Sequence, residues 1–323
     1  LAMELETGRP AGRLYDLDVI GTDGVKLSRG FPRTCLVCGG PVGPCARSRA
    51  HGLSAVQAAA ESLLRDFAAE RLAELAVEAL IAEVDLTPKP GLVDRRNTGA
   101  HRDMDLAMFH RSARALEPYF RQAAALGMER PDCMADLQRA GLRAEEAMRS
   151  ATGGVNTHKG AVYAFGLVLA ALGSMLVRGG DLFEEAAALA AAGLPPDKDT
   201  HGALARARYG ASGARGEALA GFPHARLACS VLEERAPLPA LLTLLARVED
   251  TNLLHRGGPE GLRFVREQAA DILAGPEQDF LPRLEALDSA CIARNLSPGG
   301  CADLLALALL LFRTKDIWEG SNF

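Results

Sequence analysis

From Leu53 to the carboxyl end, apolar residues recur at helical spacing, and this pattern governs what the chain can fold into. Ser54 and Gln57 carry the capping-box signature and open a stretch whose apolar positions include Leu63, Leu64, Phe67, Leu72, Leu75, Leu80 and Ile81. That helix should end before Pro88. Further helices are expected over 104–126, 132–150, 158–177, 182–192, 216–234, 238–246, 260–274, 280–294 and 299–313. Asp181 and Glu184 cap the helix over 182–192, and Gly193 stops it. β-branched residues are thinly spread, so few strands remain to propose. Successive amphipathic helices with short connections bury their stripes against one another, which predicts an all-α, multi-helix bundle-like domain. No repeat of fixed period is visible, which disfavours a solenoid.

Residues 1–52 differ. They are rich in Gly, Pro and Arg, and the alternation over 14–20 suits a strand better than a helix. The expected organisation is therefore a short irregular or β-containing segment over 1–52, followed by an all-α domain over 53–323. With 323 residues, 48% of them apolar, the chain can bury a sizeable core. Thirty-six Lys and Arg against 41 Asp and Glu give a net charge of −5, so nothing draws the whole molecule to nucleic acid or an anionic membrane. Any anion must be met locally. The start, Leu-Ala-Met-Glu-Leu-Glu, has neither a basic nor an apolar leader region, so no signal peptide is read and the cytoplasm is the expected compartment. Cys133, Cys229, Cys291 and Cys301 lie scattered in Ala-Leu sequence, as small buried residues of a reducing compartment would. The uncharged run 161–177 approaches spanning length, but Gly166, Gly173 and Ser174 interrupt it, and a buried core helix is expected.

Five junctions between helices hold more polar and glycine residues than a connection needs. The first, 87–105, sets Lys89, Arg95 and Arg96 beside Asp94, Asp103 and Asp105, a mixture of charges that suits a metal-bound polyphosphate; a solvated loop ending in an aspartate cap is the plain alternative. The second, Gly153 to Gly160 with Asn156, His158 and Lys159, leads into a helix start, where backbone N–H groups and the dipole favour an anion; a Thr157 cap explains the same residues. The order is not that of a Walker A loop. The third and fourth, 213–217 and 250–258, carry Arg215 and Arg256 for phosphate and Asp250 for a metal or proton, or serve only as turns and caps. The fifth, 295–303, places Asp303 on an otherwise apolar helix, where it needs a metal, a substrate or an arginine. A helix terminus contributes only about 0.3–2 kcal/mol toward an anion. Micromolar nucleotide binding needs about 8 kcal/mol, so the junctions must act together.

Lys89-Pro90-Gly91-Leu92-Val93-Asp94, Gly99-Ala100-His101-Arg102-Asp103-Met104, Gly154 to Gly160, Arg215-Gly216-Glu217 and Ser297-Pro298-Gly299-Gly300-Cys301-Ala302-Asp303 together resemble the triphosphoribosyl-dephospho-CoA synthase family. The resemblance runs from about residue 54 to the end. It implies an all-α enzyme that joins ATP to 3′-dephospho-CoA with release of adenine, making the prosthetic-group precursor of the citrate lyase or malonate decarboxylase acyl carrier protein. In that chemistry a ribose hydroxyl attacks the anomeric carbon of ATP, positive charge develops on the sugar, and a base and a proton for adenine are needed. Asp94 or Glu83 is the expected base or charge stabiliser, and His101 or Asp250 the expected acid. Lys89, Arg95, Lys159 and Arg215 would hold the triphosphate, with Arg96, Asn156, His158 and Arg256 as further substrate contacts. Mg²⁺ would be held by Asp103 or Asp303 with phosphate oxygens and waters.

Gly12 to Val19, with Asp16 and Asp18, followed by Arg33, Cys35, Cys38, Cys45, Arg47 and His51, is similar to the carboxyl-terminal part of the holo-citrate lyase transferase family, which implies contact with the carrier protein. The match begins partway into that family's sequence, which leaves transferase activity of this segment in question. Cys35, Cys38, Cys45 and His51 are candidates for a Cys₃His zinc site stapling a segment too small for its own core, against free thiols in a turn-rich stretch. Two rival functions remain: an Mg²⁺-dependent hydrolase of an N-glycosidic bond in an ADP-ribose-like compound, and a non-catalytic helical adaptor for carrier protein.

Overall fold

A computed structural model describes residues 1–27, 30–193 and 207–320, and the chain divides into two compact units, Leu1–Arg71 and Leu72–Phe323. In the first, α1 (Ala2–Thr7) and a 3₁₀ turn (Pro10–Leu14) precede irregular chain and α2 (Val42–Ser48). The stretch read as a strand over 14–20 does not become one. Ile20 pairs with Lys26 and Thr34 with Pro41 as isolated bridges, because among the described residues no second strand lies alongside to satisfy a ladder. Polar contacts hold this part. Glu6 is buried and accepts from Leu17 N at 2.8 Å and from Arg33 at 2.9 Å, while Arg13 reaches Thr34 Oγ1 at 2.8 Å. Asp16 and Asp18, which would share a strand face, instead pair with Arg33 and Lys26.

The 33-residue α3 (Leu53–Asp85) belongs to the first unit as far as Arg71 and to the second from Leu72. It starts one residue before the expected cap: Gly52 O accepts from Ala55 and Val56, and Ser54 lies within the helix. The second unit continues with α4 (Leu106–Ala115), α5 (Glu117–Glu129), α6 (Met134–Thr152), α7 (Lys159–Arg178), α8 (Leu182–Ala192), α9 (Gly213–Leu219), α10 (Pro223–Glu234), α11 (Pro237–Arg247), α12 (Thr251–Ala274), α13 (Phe280–Ala293), α14 (Gly299–Arg313) and α15 (Lys315–Trp318). The all-α expectation holds. The span expected over 104–126 is broken at Leu116, since Pro118 lacks the N–H that a continuous helix requires there. That over 216–234 is broken by Gly221 and Phe222 in left-handed conformation, and α12 begins nine residues before 260 because it continues through a kink at Gly258–Pro259.

The apolar run 161–177 forms the centre of the unit. α7 is long and apolar enough to cross a membrane, but 78% of its apolar window is buried among other helices. Its glycines are contact points: a Cβ on Gly166 would strike Tyr119, one on Gly173 the Ala124 carbonyl, and one on Gly127 of α5 the Ala170 carbonyl. Small residues thus bring α5 and α7 together backbone to backbone. On its other sides α7 meets α6, α8 and α14, while α10 and α11 cover α14, and α12 packs on α11 and α13.

Candidate active site

The segment after α3 folds back through two glycines with positive φ, Gly91 at 70° and Gly99 at 58°. At Gly91 a side chain would meet the Leu296 carbonyl as well as backbone strain, so the close approach and the torsion both require glycine. Two buried carboxylates set the loop's shape. Asp94 accepts from Lys89 N at 2.9 Å, Arg96 N at 2.7 Å and Asn97 N at 3.1 Å. Asp288 of α13 accepts from Gly91 N at 2.9 Å and Asn97 Nδ2 at 2.8 Å.

This loop delivers Lys89 inward, 1% exposed, with Nζ 2.6 Å from Glu83 Oε1 at the end of α3. Burial pushes the Glu83 carboxyl above its ordinary range, and the Lys89 ammonium pulls against that. Asp303, half-buried just beyond the first turn of α14, lies against the start of α7: the Ala161 backbone N–H acts on its carboxylate, and a Cβ on Gly160 would collide with it. Burial, then the charges of Glu83 and Asp250, hold Asp303 well above the usual carboxylate range. Asp250 caps α12, accepting from Asn252 N at 2.8 Å and Leu253 N at 3.1 Å. It also reaches Cys301 N at 2.8 Å, which ties the starts of α12 and α14 together. A Cβ on Gly300 would stand 3.0 Å from Asp250 Oδ2, so this junction too admits only glycine without movement.

His158, 3% exposed, bonds Ser112 Oγ through Nδ1 at 2.7 Å and leaves Nε2 buried with no partner. Burial and the nearby Lys89 depress its pKa to about 3, so the ring is neutral. Thr157, expected as a cap, donates to Ser112 instead; Asn156 Oδ1 accepts from Lys159 N at 3.2 Å. His101 joins the first junction to the fifth through Ser297 Oγ at 2.8 Å. Arg256 stands 3.3 Å from its other nitrogen and donates to Ala100 O at 3.0 Å. Burial, then Arg256, lowers the His101 pKa.

The structure brings the first, second, fourth and fifth junctions to one place, and the third meets the fourth where Gly213 faces Thr251. Glu83, Lys89, Asp94, His158, Asp250 and Asp303 form the interior of this cluster. The other cations lie outward and are paired: Arg95 with Asp85 at 2.9 Å, Arg96 with Glu285 at 2.8 Å, and Lys159 with Glu145 at 3.2 Å. Arg215 donates to Gly193 O at 3.1 Å. Asp103 is exposed and acts electrostatically on His101 and Arg256, away from Asp303. Asp303 has no arginine partner among the described residues. Beside Asp250, a groove of about 600 Å³ is lined by Tyr209, Glu249, Leu254, Pro259, Arg263 and Arg266. Four contributors were not anticipated: Asp288, Ser112, and Asp85 with His110, whose Nε2 stands 2.8 Å from Asp85 Oδ1. Asp288 carried a readable sign, a lone acid at a buried helix position.

This helical unit gathers acids and a buried ammonium from distant helix ends into one polar site. Residues 69–322 match the family described as ATP:dephospho-CoA triphosphoribosyl transferase, and the chain belongs to that family. Residues 1–67 match the apo-citrate lyase phosphoribosyl-dephospho-CoA transferase family. Protein CitXG of Haemophilus influenzae is 39% identical over 350 residues, covering 96% of this chain and 75% of that protein. The 2-(5′′-triphosphoribosyl)-3′-dephosphocoenzyme-A synthases of Haemophilus ducreyi and Pectobacterium atrosepticum are 39% and 44% identical, covering 82% and 72% of this chain and 95% and 86% of their own. No solved structure matches.

Proposed function

We propose that the second unit transfers the 5-triphosphoribosyl group of ATP to a ribose hydroxyl of 3′-dephospho-CoA and releases adenine. The reading rests on family membership and on one observation: the buried Glu83–Lys89 pair, with Asp303 beside it, at the meeting point of loops far apart in sequence. In the reaction the acceptor oxygen forms a bond to the anomeric carbon as the bond to adenine N9 breaks. The electron pair leaves with adenine, the hydroxyl proton passes to a base, and adenine takes up one proton from solvent as the base later returns one, so that no net proton is gained or lost.

Glu83 takes the role of base and of negative charge facing the sugar. Its burial raises its proton affinity, and Lys89 fixes its orientation. Asp94 and Asp250, each accepting three backbone N–H groups, are positioning residues that shape the loops. His101, engaged at both nitrogens, joins two of those loops. The orphaned Nε2 of neutral His158 offers a polar contact to a bound purine or sugar. Lys159, Arg95, Arg96 and Arg215 supply positive charge to the triphosphate by exchanging their present partners for phosphate oxygens.

Hard carboxylate oxygen suits Mg²⁺, and Asp303 fits it best, because it is partly accessible and no arginine among the described residues neutralises it. The ion would screen the triphosphate. The residues hold the acceptor and donor sugars in line and keep water from the anomeric carbon. The first unit, by its similarity to the carrier-protein transferase family, is the part that meets the citrate lyase acyl carrier protein, and the chain works in the cytoplasm. Incubation with ATP, Mg²⁺ and 3′-dephospho-CoA should release adenine and yield a product carrying an intact triphosphate by mass. Adenine release that ignores dephospho-CoA would mean hydrolysis instead; no release would leave an adaptor.

A further inference from the structure

Residues 1–52 bury almost nothing apolar. Cys35, 6% exposed, is their one buried apolar side chain among the described residues, while Ile20, Val25, Leu27 and Phe31 stay exposed. A segment of this size normally needs a cross-link or a metal to hold a defined shape. Free thiols sit where such a link would be.

The chain around Cys35 has a particular form. Cys35 N donates to Gly40 O at 2.6 Å and Gly39 N to Cys35 O at 2.9 Å, closing a tight turn. Gly39 has φ 71°, which admits the reversal just after Cys38. Cys45 enters from α2, and His51 follows the left-handed Arg49 that ends α2. The three sulfurs and a ring nitrogen of His51 all lie within 4.8 Å of one another, and Cys38 Sγ stands 3.6 Å from Cys45 Sγ. Thiolates about 2.3 Å from a tetrahedral zinc stand about 3.8 Å apart, so that spacing is already that of a coordination edge. His51 Nε2 is buried with no hydrogen-bond partner, a cost that one more ligand bond removes.

We propose that Cys35, Cys38, Cys45 and His51 bind one Zn²⁺ as a closed, structural Cys₃His site. Four protein ligands leave no open position for water, so the ion is a staple and takes no part in turnover. Binding displaces the thiol protons, and the energy of the four bonds becomes folding energy of the first unit. Cys35, Cys45 and His51 also line a cavity of about 1060 Å³ together with Glu6, Arg9 and Arg33, so the ion fixes part of its wall.

The test uses the full chain. Metal analysis after growth with zinc should give one Zn²⁺ per chain. Replacement by Co²⁺ should give the thiolate charge-transfer and intense d–d absorption of a tetrahedral site. Cys38→Ser and His51→Ala should each lose most of the zinc, and His51→Cys should retain it with an altered cobalt spectrum. A zinc-selective chelator, with Mg²⁺ kept in excess, should make residues 1–52 sensitive to limited proteolysis while adenine release by the second unit is retained. That release also shows that a variant chain is folded, and zinc content is independent of whether the transfer reaction is correct. No zinc in the wild-type chain, a Cys38–Cys45 disulfide by mass, or unchanged zinc in both Cys38→Ser and His51→Ala would overturn the proposal.

Discussion

The two units are held by different means. In residues 72–323 the interior is continuous apolar packing, and α7 alone buries fourteen of its residues. The same interior still accommodates Glu83, Lys89, Asp94, Asp250 and Asp288, each hydrogen-bonded or paired. Residues 1–52 have ion pairs, turns and a ligand cluster in place of a core. The lesson is that a large core can afford buried charge where chemistry requires it, whereas a small segment must spend its polar groups on its own shape. Both arrangements rest on side chains from distant positions meeting, and only the larger unit can hold such a meeting dry.

The largest effect that would sharpen this contrast is expected at Lys89. Lys89→Met leaves the Glu83 charge buried and unpaired, which should cost about 3–5 kcal/mol in denaturant unfolding. The double variant Lys89→Met with Glu83→Gln should recover much of that loss. Next comes the α5–α7 contact, where the Cβ of Gly127→Ala has no room beside the Ala170 carbonyl. A destabilisation of about 1–3 kcal/mol is expected, read as a lower thermal midpoint.

Acid acts on the second unit through His158. Its folded value of about 3 lies below its ordinary 6.5, so the unfolded chain takes the proton first. The contribution of this group is complete above pH 6.5 and is lost as pH falls from 6.5 toward 3, at up to about 1.4 kcal/mol per pH unit. His158→Gln should flatten that limb of the pH–stability curve. The smallest effect belongs to the first unit: Ile20→Ser, at a 66% exposed position, should change stability by no more than about 0.5 kcal/mol. A larger loss would mean that this segment has an apolar core after all.

Helix content was legible because it follows from spacing, and the helices from Leu182 and from Gly299 begin where their local signals place them. Breaks were less legible. Phe222 in left-handed conformation has no local marker except Gly221 before it, and the expected cap at Ser54 yielded to one residue of earlier helix. In the site, the glycine-rich junctions declared themselves, since Gly91, Gly160 and Gly300 are small exactly where a carbonyl or carboxylate presses on them. What sequence alone withheld was which polar groups face each other. Asp94 reads from sequence as a base or charge stabiliser with no sign of its three backbone donors, and Asp288 is separated from Gly91 by 197 positions.

In the proposed reaction Glu83 takes the proton and faces the charged sugar. The most direct measurement is kcat for dephospho-CoA-dependent adenine release by Glu83→Gln, which keeps a hydrogen-bond acceptor for Lys89. With circular dichroism unchanged, kcat should fall by about 10²-fold or more. A folded variant that turns over at the wild-type rate would contradict the assignment.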